Sequence, residues 1–179
     1  MKWIKLLPLA LLISQSCCFG QTFPNAVSGK VATKNPKFSI TVAPPLGPIR
    51  LGAPIVVTIT VTNIGAEDLY WASEIASDGH YKDFSFLLMK DGKEVETTFY
   101  DRVITGRQRS DDPTEVASGS TILVPYPPGV IVTFKIDLTR LYEIKDSGEY
   151  TLDVGRFGDG NQDETVVRSN TLTLKIVAQ

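Results

Sequence analysis

The chain has 179 residues, of which 42% are hydrophobic and 21% charged, and its formal net charge is −2. This length is sufficient for one domain with a sizeable core. A nearly balanced set of 18 basic and 20 acidic residues, without a basic cluster, excludes nucleic acid and anionic lipid as partners.

The N-terminal 20 residues have the three parts of a secretory signal peptide. Lys2 and Lys5 supply the positive start, residues 6–13 an apolar centre too short to span a bilayer, and residues 14–20 a polar end. We therefore expect cleavage before Gln21 and a secreted or periplasmic protein. Without the two lysines its net charge is about −4.

A lipoprotein signal acylated at Cys17 or Cys18 is the alternative for this leader. Lipoprotein signals resemble each other in carrying an apolar residue, commonly leucine, three positions before the cysteine, where this chain has Ser14 or Gln15. Because both cysteines lie in the leader, we expect no disulfide in the mature chain. No later apolar run is long enough for a membrane helix, and residues 21–36 are interpreted as a flexible lead-in.

Alternating apolar and polar residues predict the first strands. Residues 38–42 form a strand that the prolines of residues 44–48 interrupt, as happens where an edge strand crosses between sheets. Residues 54–63 give the clearest strand, and a polar turn connects it to a short strand at residues 69–72. We expect Trp71 in a sandwich core rather than on the surface as a platform for sugar stacking.

A hairpin and a central strand follow. Residues 84–89 and 94–100 flank the pair Asp91-Gly92, the favoured type I′ hairpin turn. After a proline-rich lead around Tyr126, residues 130–138 alternate as a half-buried strand.

The heptapeptide Asp-Ser-Gly-Glu-Tyr-Thr-Leu at residues 146–152 resembles the tyrosine corner of immunoglobulin-like sandwiches, whose phenol hydroxyl bonds upstream backbone. Gly148 is expected at positive φ, and Tyr150 is expected to be buried. With a last strand at residues 171–177, the pattern predicts an all-β fold. We expect an immunoglobulin-like antiparallel β-sandwich of about 7–9 strands over residues 37–179.

No catalytic constellation is present, so we do not expect an enzyme. A serine or cysteine triad needs a base, normally histidine, and the only histidine is His80. There is no Gly-x-Ser-x-Gly elbow, and one histidine without mature cysteines leaves too few nitrogen or sulfur ligands for a transition metal. The sequence therefore predicts no catalytic residue, no cofactor and no metal ligand.

The acidic residues between the last two predicted strands suggest one candidate metal ion, calcium. Asp159, Asn161 and Asp163 resemble the start of an EF-hand loop. Glu164 stands where the turn glycine should be, and Asn170 where the closing glutamate should be. A solvated loop is therefore favoured over a calcium site.

Residues 105–120 have no apolar period and are interpreted as a long exposed loop. Within it, Arg107, Arg109, Asp111 and Asp112 form a mixed-sign cluster. The favoured interpretation is a solvated, self-neutralising loop, and a partner-binding site is the alternative.

Two stretches resemble a known group of proteins: residues 51–69, with Val-Thr-Asn-Ile-Gly, and residues 135–152, with Ile-Asp-Leu-Thr-Arg-Leu-Tyr and Gly-Glu-Tyr-Thr-Leu. They are similar to small exported immunoglobulin-like proteins of bacteria, to the sandwich domain that precedes aspzincin-type metalloproteases, and to bacterial proteinase-inhibitor sandwiches. The specific positions are Asp137, Leu138, Tyr142 and residues 148–152. The resemblance implies the fold, and the aspzincin motif His-Glu-x-x-His is absent.

The sequence therefore favours an exported, non-catalytic immunoglobulin-like module. We expect it to bind a protein partner through loops at residues 73–83, 105–120 and 155–168, and its oligomeric state is left open. The alternative is an inhibitor of an extracellular or periplasmic protease that presents residues 105–120 as an insertion loop.

Overall fold

The structure is a computed structural model that describes residues 36–75, 83–113, 120–157 and 166–179. The predicted leader, nearly all of the lead-in, His80 and the three candidate calcium ligands lie outside these residues. The strands are β1 (Phe38–Ala43), β2 (Ile49–Arg50), β3 (Val56–Asn63), β4 (Leu69–Ile75), β5 (Ser85–Lys90), β6 (Lys93–Glu94), β7 (Ser120–Tyr126), β8 (Ile131–Asp137), β9 (Gly148–Phe157), β10 (Val166–Arg168) and β11 (Leu172–Val177). A short helix, α1 (Phe99–Ile104), lies between β6 and β7, and one turn of 3-10 helix, Leu138–Arg140, follows β8.

The strands form a β-sandwich, as the alternation predicts. One sheet has the order β1-β3-β8, and the other has the order β2-β11-β9-β5-β6 with β10 beside β9. β4 and β7 pair only with each other in the described residues and are called the ribbon below. Three of the eleven described strands have two or three residues, so eight longer ones remain, within the predicted number.

The first strand crosses between the sheets at the prolines. β1 pairs with β3 in one sheet, whereas β2 runs parallel to β11 in the other. Because proline has no N–H to donate to a ladder, residues 44–48 interrupt the pairing and the chain changes sheets there. This prediction is confirmed.

One core lies between the two sheets, and alternate residues of the strands supply it. The buried side chains that the period-two pattern predicts are Ile55, Val57, Ile59, Val61, Phe134, Ile136, Leu138, Tyr150, Leu152, Val154, Leu172, Leu174 and Ile176. Trp71 is 3% exposed, so it belongs to the core and not to a sugar-stacking surface.

The hairpin turn is confirmed, but the strand predicted after it is wrong beyond Glu94. Asp91 and Gly92 have φ angles of 50° and 75°, as a type I′ turn requires. The chain then enters α1, because the Thr98 hydroxyl accepts a hydrogen bond from the N–H of Asp101 at 3.1 Å and caps the helix.

Three stretches interpreted as loops are partly strand. β4 runs on to Ile75, β9 runs on to Phe157, and β10 lies inside the connection after β9. The proline-rich lead at Tyr126 is strand β7. In β7, apolar residues occupy both faces, Ile122 and Val124 on one and Leu123 and Pro125 on the other, so no alternation marks the strand in the sequence.

The tyrosine corner is confirmed. The hydroxyl of Tyr150 donates to the carbonyl of Asp146 at 2.8 Å, and Gly148 has a φ of 141°. The hydroxyl of Tyr142 donates to the carbonyl of Phe86 at 2.9 Å and ties the connection after β8 to the facing sheet. The positions that carry the family resemblance therefore have structural roles.

Replacing Tyr150 with phenylalanine is expected to lower the free energy of unfolding by about 1 to 3 kcal/mol, because the carbonyl of Asp146 loses its donor. Urea denaturation measures the change. Tyr70→Phe, on a tyrosine that is exposed, serves as the control and should leave the midpoint unchanged. Equal midpoints for the two variants would contradict the corner's role.

Candidate functional site

Each of the three predicted loops has at least one root at the same end of the sandwich, called the ribbon end below. Ile75 pairs with Ser120, which joins the root of the first loop to the end of the second. Arg156 donates to the carbonyl of Asp83 at 2.7 Å, which joins the first loop to the third. The three loops therefore have adjoining roots, a relation that a single sequence does not reveal. Residues 105–113 of the second loop lie elsewhere, against α1, whose cap Thr98 bonds Leu141 after β8.

The ribbon exposes apolar side chains on both of its faces. On the outer face, Tyr70 is 57% exposed and Leu123 is 70% exposed. Ile122 lies on the same face of the ribbon as Trp71, yet it is 44% exposed. The ribbon is thus packed at its Trp71 end and open to solvent at its Ile122 end.

Aromatic packing fixes the base of the ribbon. The ring of Trp71 lies 5.1 Å from that of Phe38 and 4.6 Å from that of Tyr126. The side-chain amide of Asn63 donates to the carbonyl of Tyr126 at 2.7 Å and to the carbonyl of Glu67 at 2.9 Å. Contacts from β1, β3 and β7 therefore hold the first residues of β4.

A buried arginine joins this base to the second sheet. The guanidinium of Arg156 lies 4.1 Å from the ring of Trp71 and 5.5 Å from that of Phe84, and its distance to the carboxylate of Asp83 is 3.9 Å. Burial lowers the pKa of Arg156, while the charge of Asp83 acts in the opposite direction. These residues form the clasp, defined as Asp83, Arg156, Trp71 and Phe84.

The described side chains of the ribbon end offer apolar contact area. Among them, the charged pair Asp83 and Arg156 is buried inside the clasp, whereas Tyr70, Ile122 and Leu123 are exposed. Such a surface fits adhesion to another macromolecule, because exposed apolar side chains gain free energy when a partner removes them from water.

The mixed-sign cluster of the second loop lies against α1. Asp112 accepts two hydrogen bonds from Arg102, at 2.6 and 2.7 Å, and its side chain is only 8% exposed. Arg107 bonds Asp101 at 3.0 Å, and Arg109 bonds Glu96 at 3.0 Å. These partners precede the loop in the sequence. The prediction of a self-neutralising, solvated loop is therefore wrong for Asp112, and we call residues 98–113 the braced arm.

Two carboxylates of the braced arm have opposite pKa shifts. The hydrogen bonds from Arg102, followed by the N–H of Arg109, lower the pKa of Asp112 to about 2. Burial raises the pKa of Asp101, and Arg107 counteracts part of that effect.

The contribution of Asp112 to stability should depend on pH. Because its folded pKa lies below the ordinary value of 3.8, the contribution is present above about pH 4 and is lost as the pH falls toward 2. We expect Asp112→Asn to lower the urea midpoint at pH 7 and the gap to the original protein to close between pH 4 and 2. Asp111→Asn, at an exposed neighbour, is the control; a gap for Asp112→Asn that persists at pH 2 would contradict this assignment.

The described residues contain neither a membrane-spanning helix nor a cluster of metal-ligating side chains. No helix in residues 36–75, 83–113, 120–157 or 166–179 is long and apolar enough to cross a bilayer. In the same ranges, no three histidine, cysteine, aspartate or glutamate side chains lie close enough together to hold a metal ion.

No protein-family model matches the chain, and no curated protein matches its sequence. Among solved structures, a β-glucosidase from Listeria innocua in complex with glucose is similar at 13% identity and a TM-score of 0.35, over 78% of this chain and only 16% of that one. The ASH/PapD-like domain 7 of human CEP192 is similar at 15% identity and a TM-score of 0.30, over 88% of this chain and 95% of that one. At these scores the similarities carry no argument about function, which has to come from the geometry of this chain.

Proposed function

We propose that the chain is an exported, non-catalytic immunoglobulin-like module that binds a protein partner at its ribbon end. The observation that carries the proposal is the exposure of Tyr70, Ile122 and Leu123 on a ribbon whose base is rigidly packed. Apolar and aromatic side chains of this kind are the usual anchors of protein interfaces. The signal-like pattern of the first 20 residues, with Lys2 and Lys5 before an apolar centre, supports export.

Rigidity at the base favours binding. The contacts of Trp71 and Asn63 fix the position of the ribbon, so little conformational freedom remains to be lost there when a partner docks. An isolated two-stranded ribbon is only marginally stable in water. A partner that binds the folded ribbon would therefore also stabilise it.

Leu123→Glu tests the proposal against a matched control. Leu46 is fully exposed and lies between β1 and β2, away from the ribbon, so Leu46→Glu places the same charge elsewhere. Both variants should keep the melting temperature. Photo-crosslinking from position 70 in extracts of the producing cells should trap a protein with the original chain and with Leu46→Glu. Leu123→Glu should abolish this product, and an unchanged product would reject the ribbon as the interface.

Inhibition of an exported protease is the second candidate, and the braced arm favours it. The arm holds Arg107 and Arg109, each 49% exposed, on backbone that the pair Arg102 and Asp112 fixes in place. A protease inhibitor needs such a preorganised, accessible segment. Assays with a panel of secreted serine, cysteine and metalloproteases decide the matter, because no inhibition at micromolar protein would remove this candidate.

A further inference from the structure

β8 is the outer strand of its sheet in the described residues, and its free edge has a defined set of backbone groups. At its two ends, the carbonyl of Val130 accepts from Asn63 at 3.1 Å and the N–H of Leu138 donates to Ile55 at 2.9 Å. Because strand residues alternate in direction, the even-numbered residues point their N–H and C=O groups at β3. The groups of Ile131, Thr133 and Lys135 therefore point away from the sheet.

The other edge of the same sheet is capped at Val42. The side-chain amide of Asn170 donates to the carbonyl of Val42 at 3.1 Å and accepts from its N–H at 2.9 Å, as a neighbouring strand would do. Within residues 120–157 and the other described ranges, no comparable cap lies on β8. Edges without protection are templates for pairing with another strand.

The side chains of β8 favour such pairing. Ile131 is 65% exposed, and Thr133 and Lys135 are exposed on the same outer face. β-Branched residues predominate in the strand. Its solvent face carries two charged residues, Lys135 and Asp137, but the carboxylate of Asp137 accepts from the N–H of Ile55 at 3.1 Å at the strand's end. Lysine on an edge strand discourages pairing, and the penalty is greatest where another positive charge lies directly opposite it, which a neutral residue in that position avoids.

We propose that two copies of the chain pair antiparallel through β8, about a two-fold axis at Thr133. In this register Thr133 lies opposite Thr133 of the second copy, and Ile131 lies opposite Lys135 of the second copy. The N–H and C=O groups of all three residues then form hydrogen bonds across the interface. The two lysines lie four residues apart along the strand direction, roughly 14 Å, and do not repel strongly. The two three-stranded sheets become one continuous sheet.

Self-complementarity favours a second copy over an unrelated strand. One register both pairs the free N–H and C=O groups of Ile131, Thr133 and Lys135 and keeps the two Lys135 side chains apart. Two identical strands are sufficient for this arrangement. The interface does not involve the ribbon, so it is independent of the proposed function. An edge-to-edge contact of this size buries little area, and we expect a dissociation constant in the micromolar range.

A pair of charge substitutions tests the register without disturbing the fold. Because Ile131 is exposed, Ile131→Lys and Ile131→Glu should both fold like the original chain. Ile131→Lys puts lysine against the partner's Lys135 at two places and should raise the dissociation constant at least about fivefold. Ile131→Glu creates two attractive pairs and should leave it equal or lower. Sedimentation velocity measures both, and a monomer at all concentrations up to about 100 µM, or equal weakening by the two variants, overturns the proposal.

Crosslinking tests the axis itself. In a chain with Cys17→Ser and Cys18→Ser, Thr133→Cys places two thiols in a directly opposed pair with Cα atoms about 5.5 Å apart, within the range of a disulfide. Oxidised glutathione should convert this variant to a covalent dimer. Thr41→Cys is the control, since Thr41 lies in the same cross-strand row but on β1. A dimer with Thr41→Cys alone, or with neither, overturns the proposal.

Discussion

Replacing Arg156 with alanine is expected to lower the free energy of unfolding by about 3 to 5 kcal/mol. The substitution leaves the carboxylate of Asp83 buried without the charge that lies 3.9 Å away, and it removes the cation that stacks 4.1 Å from the ring of Trp71. It also removes a donor from the backbone carbonyl of Asp83. The loss should therefore exceed that of an ordinary surface arginine.

Arg50→Ala is the matched control, because Arg50 is an exposed arginine at the end of β2. Its effect should stay within about 0.5 kcal/mol. Urea denaturation of both variants and of the original chain gives the comparison. A loss below about 1 kcal/mol for Arg156→Ala would show that solvent screens the clasp and that it does not fix the loop roots.

A double variant distinguishes the charge of the clasp from its packing. Arg156→Met keeps much of the apolar stem of the side chain, and Asp83→Asn removes the stranded carboxylate. Since apolar replacements of both members of a buried pair are often tolerated, the double variant should be more stable than Arg156→Ala. If the double variant is equally unstable, the clasp acts through geometry that methionine does not reproduce.

The parts of the fold that the sequence predicts are those with local signals. The period-two pattern of β3 and the Asp-x-Gly-x-Tyr spacing around Tyr150 depend on neighbouring residues alone, and both are confirmed. The hairpin turn is also predicted from neighbouring residues alone. Asp91 and Gly92 both adopt the positive φ angles that a type I′ turn requires, and an Asp-Gly pair favours them.

The parts that the sequence does not predict depend on distant partners. Asp112 pairs with Arg102 of α1, and the sequence predicts a strand at residues 94–100, where α1 begins, so this pair is not recognised. Arg156 was assigned to a polar connection, although β9 extends past it and turns it onto Trp71. Asn170 was considered as a calcium-loop position, whereas its amide caps β1 across 128 residues of sequence. A single sequence gives no signal for such pairings.

In the proposed mode of binding, stability and recognition depend on different parts of the ribbon. The Trp71 end of β4 is packed and contributes to the core, whereas the exposed side chains of Ile122 and Leu123 contribute little to it. Substitutions at the base should therefore change the unfolding midpoint, and substitutions at the exposed end should change binding alone. Asn63 is the residue at the base of the ribbon whose substitution should change the unfolding midpoint most clearly.

Asn63→Ala is expected to lower the free energy of unfolding by about 2 to 3 kcal/mol. The amide of Asn63 donates to the carbonyls of Tyr126 and Glu67, and its oxygen accepts from the N–H of Gly65 at 2.9 Å. Alanine removes the donor from both carbonyls where β3 ends and the ribbon begins, whereas the N–H of Gly65 keeps its bond to the carbonyl of Lys37. Thr62→Ala, on the solvent side of the same strand, should stay within about 0.5 kcal/mol.

Hydrogen exchange tells local loosening from global destabilisation in Asn63→Ala. If Asn63 anchors the ribbon, the amides of β4 and β7 should exchange faster than the lower global stability alone explains, while those of β9 and β11 should follow the global value. The reason is that Asn63 bonds Tyr126, the last residue of β7, but neither of the two central strands of the second sheet. Uniform acceleration across all four strands would mean that Asn63 supports the sandwich as a whole, and the ribbon would then have no anchor of its own there.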